Sequence, residues 1–235
     1  MKTLTIMPLK ITLAALLTAL ALQPAATAAL VVGNLGQDGN VSLYLKLPVA
    51  TQFTVGPGGS GWTLDKITAR FRGTEGNPSG FQAMILNDDS GKPGLLDSPL
   101  ATLTGPDPRG RQDYDFLPPA GTTISLEPGT SYWLAYTSAG LPSNYVYYKA
   151  TVTDTVSEDA GALPGWSIGD DTWLFDSDIG LWQVIRADST RVPMKFGVEA
   201  TPVPEPSEYA LFLGLGLGAF ALWHRRRQQG QRAAA

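Results

Sequence analysis

Ser131-Tyr132-Trp133-Leu134-Ala135-Tyr136-Thr137 and Tyr145-Val146-Tyr147-Tyr148-Lys149-Ala150-Thr151 are the stretches that decide the fold class. Both are rich in Tyr, Trp, Val and Thr, side chains that pack well on a pleated, half-buried surface. Working outward, Trp62 to Arg72 alternates, with Trp62, Leu64, Lys66, Thr68 and Arg70 on one side and Thr63, Asp65, Ile67, Ala69 and Phe71 on the other. The apolar residues change sides partway, which a β-bulge would reconcile. Gln52–Val55, Phe81–Leu86, Ala101–Leu103, Tyr114–Phe116, Ile124–Leu126 and Val192–Glu199 read as further strands, separated by turn clusters such as Gly56–Gly59 and Asn87–Gly94. Short strands at this spacing, with almost no helical pattern between them, predict an all-β fold: an antiparallel β-sandwich or jelly-roll-like single domain over residues 29–200.

Composition narrows what such a domain can do. The chain has no Cys, and its single His is His224, near the C-terminus. The body therefore has no Ser-His-Asp triad, no imidazole base, no thiolate nucleophile and no His or Cys metal ligand. Of the 21 acidic residues, Glu205 and Glu208 lie beyond the body; of the 17 basic ones, Lys2, Lys10, Arg225, Arg226, Arg227 and Arg232 do, leaving 19 acidic against 11 basic, a net −8. That balance argues against nucleic acid and against non-specific binding to anionic polymers.

Both ends carry segmented signals. Lys2 and Lys10 precede an uncharged run, Ile11 to Leu22, then Gln23-Pro24 and Ala26-Thr27-Ala28. A positive region, an apolar run of about 12 residues and small residues spaced for signal peptidase predict a signal peptide over 1–28, cut between Ala28 and Ala29. The Sec machinery and signal peptidase are the partners this implies. At the other end a Pro-rich linker at 201–208 contains Val203-Pro204-Glu205-Pro206. An apolar segment at 209–224 follows, then a basic tail at 225–235 opening with Arg225, Arg226 and Arg227. Tyr209–Trp223 as a helix spans roughly 22 Å, short of the ~30 Å hydrocarbon core, and the Arg cluster is expected on the cytoplasmic side.

The Val203–Pro206 box, the apolar stretch and the Arg-rich end together resemble a PEP-CTERM sorting signal. The resemblance implies a substrate of an exosortase, a membrane transpeptidase acting near the box. The implied course is export, transient residence in the inner membrane of a Gram-negative-type bacterium, then release to the envelope, cell surface or extracellular matrix. The body is also similar to a choice-of-anchor domain, nearest to type R. The likeness rests on the order of Gln52–Gly56, Trp62–Ile67, the Asp88–Leu96 turn, Leu126–Leu134 and Gly165–Asp170, and implies an exported β-rich module.

Two sets of residues are candidates for ligand chemistry. Trp173 and Trp182 lie in a Gly- and Asp-rich region where partly exposed indoles would suit stacking on sugar rings. Asp170, Asp171, Asp176 and Asp178 fall within nine residues and offer hard oxygen ligands for Ca²⁺, without EF-hand spacing, from what reads as a solvated hairpin loop. Asp88-Asp89 reads as turn chemistry, Trp133 as core, and no carboxylate pair is marked out for glycoside hydrolysis. The expectation is a non-enzymatic envelope or matrix protein, structural or adhesive, with exopolysaccharide as a potential partner and no required cofactor. The alternative is a carbohydrate-binding module assisted by Ca²⁺.

Overall fold

The computed structural model describes residues 27–38, 41–76, 78–138, 147–153, 158–185 and 193–232. The strands are β1 (Ala29–Gly33), β2 (Val41–Leu45), β3 (Val49–Thr54), β4 (Trp62–Glu75), β5 (Phe81–Asn87), β6 (Ala101–Leu103), β7 (Arg111–Phe116), β8 (Ser125–Leu126), β9 (Ser131–Ser138), β10 (Tyr147–Val152), β11 (Ser167–Asp176), β12 (Leu181–Ile185) and β13 (Phe196–Pro202). They form two antiparallel sheets, an all-β sandwich. The 14-residue β4 is the spine of the first sheet. One of its edges pairs with β13 and then β10, the other with β8 and then β7; β1 lies beyond β13 and β2 beyond β10. The second sheet runs β12-β11-β3-β9-β5-β6. Among the described residues, only β5–β6 and β11–β12 pair sequence neighbours, because most connections carry the chain from one sheet to the other.

Side chains from both inner faces build one core. Ile67, Phe71, Phe116, Tyr148, Phe196 and Val198 come from the first sheet, and Phe53, Ile85, Leu134 and Tyr136 from the second. Phe71 is the aromatic centre, with ring centroids 5.3 Å from Phe81, 5.3 Å from Tyr136 and 5.9 Å from Tyr114. Burial pushes the Tyr136 phenol far above its ordinary pKa.

The phase change expected in β4 is present. Trp62 and Leu64 are buried, and then Ile67, Ala69 and Phe71. Leu64 pairs with Ala200 and Lys66 with Glu199, so Asp65 is the extra residue of a bulge. Thr201 Oγ1 donates to Asp65 Oδ2 at 2.7 Å, which satisfies the displaced side chain. Lys66 Nζ lies 2.8 Å from Glu199 Oε1, and that hydrogen bond leads the interactions raising its pKa.

Four strands lack a clear sequence signal: β1, β2, β11 and β12. The linker also begins later than expected, since β13 continues through Ala200, Thr201 and Pro202. Pro202 is tolerated because it closes the strand. Residues Thr27–Val203 form one compact unit, and β1 starts at Ala29, where the signal-peptide reading places the new N-terminus. Ala26 of that reading, and Tyr145, Val146 and Val192 of the expected strands, lie outside the described residues.

The second unit contains helix α1 (Pro206–Arg232). It begins inside the Pro-Glu-Pro box and runs on through the Arg225–Arg227 cluster. Leu215, Leu217, Phe220 and Leu222 are exposed on it. No helix among the described residues is long and apolar enough to cross a membrane.

Candidate functional site: an aromatic and acidic cleft on the outer face of the second sheet

Strand alternation gives the second sheet an outward face as well as a core face. On β9, Tyr132, Leu134 and Tyr136 enter the sandwich, while Trp133 and Ala135 point away from it; on β5, Met84 and Leu86 point the same way. These outward residues and Ala50 of β3 form a second apolar cluster, with Leu96, Trp173 and Trp182 packed against it. Trp133 is buried, as expected, but in this outer cluster and not in the sandwich core.

The cluster is covered by the turn after β5. Asp88 and Pro93 pair across it, with Asp89 N donating to Lys92 O (2.8 Å) and Lys92 N to Asp89 O (3.2 Å). Ser90 and Gly91 both have positive φ, 56° and 82°, the signature of a type I′ turn. Asp88 does more than form the turn. Its Oδ1 accepts from Trp133 Nε1 (2.7 Å) and Gln52 Nε2 (3.0 Å), and its Oδ2 from Gly91 N (2.8 Å). One carboxylate thus ties the turn to β3 and β9 and satisfies a buried indole.

A bulge in β11 supplies the acidic side of the site. Ile168 pairs with Phe53 and Thr172 with Thr51, so Gly169, Asp170 and Asp171 stand opposite the single residue Gln52. Bulges of this kind re-aim side chains. Gly169 is required by close approach, because a Cβ there would lie 2.8 Å from Gln52 Cβ. The result is a cleft of about 440 Å³ whose lining includes Gln52, Trp133, Trp173, Glu158, Asp170 and Asp171, with Gly91 of the turn forming part of its wall. Trp173 is half-buried, and its ring meets Trp133 edge-on at 5.8 Å and 79°. Glu158 Oε1 accepts from Ile168 N at 3.1 Å, which fixes that carboxylate beside the bulge.

The expected site residues divide on this geometry. Trp173, Asp170 and Asp171 are brought together in the cleft. Trp182 is not among its lining residues; it packs edge-on against Phe175 at 5.3 Å and donates its indole N–H to Gly94 O at 3.2 Å. The reading of Asp170–Asp178 as a solvated hairpin loop is corrected. Asp170, Asp171 and Asp176 belong to β11, and only Asp178 sits in the turn, where its N–H donates to Asp176 Oδ1 at 3.0 Å. Asp171 and Asp176 are five extended residues apart, roughly 16 Å, so the four carboxylates do not converge as a Ca²⁺ cage would require. Among the described residues no group of three or more Asp, Glu, His or Cys is arranged to hold a metal ion. Gln52 and Glu158 carried no sequence signal as site residues; they reach the cleft from separate parts of the chain, and Asp88 supports it from behind through Gln52 and Trp133.

No family model matches this chain, and neither does any curated protein or solved structure. The site's chemistry is therefore read from its own geometry. Indole surface beside fixed carboxylates favours a ligand with an apolar face and several hydrogen-bond donors. A pyranose has both: a C–H face to lie on Trp173 and hydroxyl groups to donate to Asp170, Asp171 and Glu158.

Proposed function

We propose that the chain is a non-enzymatic extracellular β-sandwich protein that holds neutral polysaccharide at the cell surface or in the surrounding matrix, through the cleft over Trp173. The observation carrying this reading is the β11 bulge, which sets Asp170 and Asp171 beside Trp173 in one cleft. The acidic lining disfavours uronates and other anionic sugars, so neutral glycans are the ligand class. Delivery follows the end segments: export on the N-terminal signal, a halt in the inner membrane on the 209–224 segment, and exosortase-type processing near Val203–Pro206. Exposed Pro204 and Glu205 and the lipid-compatible Leu215, Leu217, Phe220 and Leu222 support that route.

Two measurements test the two halves. In affinity gels of neutral polysaccharides, the protein is expected to be retarded, and Trp173→Ala to weaken retardation about tenfold or more, the loss of a stacking contact in a polar site. Unchanged retardation by Trp173→Ala, with the melting temperature intact, excludes the cleft as the binding site. For delivery, the intact mass of the protein recovered from envelope and medium is expected to end near Pro204–Ser207. A mass running through Ala235 means that the hydrophobic segment is retained as an anchor.

A further inference from the structure

The second sheet ends at β12, Leu181-Trp182-Gln183-Val184-Ile185, which pairs with β11 along one edge. Among the described residues no strand pairs with its other edge. An open edge presents a row of backbone N–H and C=O groups that accepts a further strand, and proteins commonly blunt it with charge, Pro, a bulge or shortness. The other edges of this sandwich carry such devices. β6 has three residues and β8 two, and β7 carries Arg111, Asp113 and Asp115. β1 is broken by a bulge between Leu30 and Val32, and β2 ends in a tight turn, where Lys46 N donates to Tyr44 O at 2.9 Å. β12 is five residues long, regular in register, uncharged and free of Pro and Gly.

The edge is held in place from behind. Trp182 donates its indole N–H to Gly94 O at 3.2 Å, which fastens β12 to the segment after β5. Trp182 packs against the outer cluster, and Val184, opposite Trp173, shares that face. Ile185 packs against the sandwich core, so alternation puts Leu181 and Gln183 on the same side as Ile185. Ile179 and Leu181, at the start of the strand, are 55% and 60% exposed. The order apolar-apolar-Gln-apolar-apolar reads the same in both directions about Gln183. An antiparallel strand of the same sequence, centred there, sets Leu181 opposite Ile185, Trp182 opposite Val184 and Gln183 opposite Gln183. Residues directly opposite on an antiparallel pair share a face, so apolar side chains meet apolar ones and no like charges are opposed. That self-complementarity makes a second copy of this chain the partner that fits.

We propose that β12 pairs antiparallel with β12 of a second copy, about a two-fold axis at Gln183, joining two six-stranded sheets into one. Such an isologous contact is the commonest kind in homo-oligomers. The axis is perpendicular to the sheet, so the outer faces of the two copies lie on the same side, and the two Trp173 clefts with them. The dimer presents both clefts to one polymer and gains avidity without a new contact to sugar. The pairing itself does not rest on the glycan reading.

Sedimentation equilibrium of the full chain in a neutral detergent tests the pairing. A monomer–dimer equilibrium is expected with Kd about 10 μM, because a five-residue strand pair is small beside the ~1,200–2,000 Å² of stable interfaces. Gln183→Lys sets like charges opposite each other and should weaken the dimer about tenfold or more, with the melting temperature unchanged because Gln183 is exposed. The chain has no Cys, so Gln183→Cys supplies a single thiol per copy. Mild oxidation should cross-link that thiol to its counterpart. Leu181→Cys should not cross-link, since its two copies stand about 13 Å apart along the strands. Trp173→Ala should leave the dimer unchanged, which separates this contact from glycan binding. A chain that stays monomeric up to about 200 μM overturns the proposal. So does a dimer that Gln183→Lys leaves intact, or a Leu181→Cys chain that cross-links as fast as Gln183→Cys.

Discussion

Replacing Phe71 by Ala is expected to lower the stability of the sandwich by about 4 kcal/mol, within the range for deleting a buried aromatic ring. Phe71 is fully buried and lies on β4, the strand that pairs with four others. Its ring meets Phe81, Tyr114, Phe116 and Tyr136, which come from β5, β7 and β9, so one truncation opens a cavity bounded by both sheets. These neighbours are anchored on separate strands and can fill the space only in part. Urea unfolding measures the effect as a drop in midpoint at unchanged m-value. A loss below about 1 kcal/mol would mean that the cluster repacks freely and that Phe71 is not its centre.

Asp88→Ala is expected to cost about 2 to 3 kcal/mol and to weaken glycan retention as well. The substitution removes the acceptor of Trp133 Nε1, on a side chain only 2% exposed, and hydrogen bonds to charged groups are worth about 1.5–3 kcal/mol. Gln52 can turn to water, but the buried indole N–H cannot. The Gly91 contact that shapes the turn is lost with it, and that turn forms part of the cleft wall. Asp88→Asn, which keeps an oxygen acceptor, should recover more than half of the loss. The readouts are urea unfolding followed by tryptophan fluorescence, together with the affinity gel used for Trp173. If Asp88→Ala unfolds at the parent midpoint, Asp88 is a turn residue and nothing more.

The legible parts of this chain are those whose signal is local. The Tyr- and Trp-rich runs of β9 and β10 and the alternation along β4 follow from the two-residue period of a strand, so the antiparallel all-β class could be read directly. The bulge at Asp65 was legible too, because an extra residue shifts the phase of the apolar positions, and that shift is visible in one dimension. β11 was hidden because Gly169-Asp170-Asp171 has poor strand propensity. Its place in the sheet depends on pairing with β3, more than a hundred residues earlier, and on the close approach that Gly169 permits.

The same division holds for the sites. Sequence alone put Trp173 near carboxylates, removed His and Cys chemistry from the body and marked both end segments, since residue type and spacing are enough for each. Tertiary structure decided which carboxylates share a cleft with Trp173. Extension of β11 carries Asp176 and Asp178 away from Asp171, while a loop brings in Glu158. It also decided that Arg72, Arg111 and Thr151 line one cleft, because strand register sets β7, about forty residues further along the chain, and β10, about eighty, on either side of β4, a relation that no local pattern of residues records.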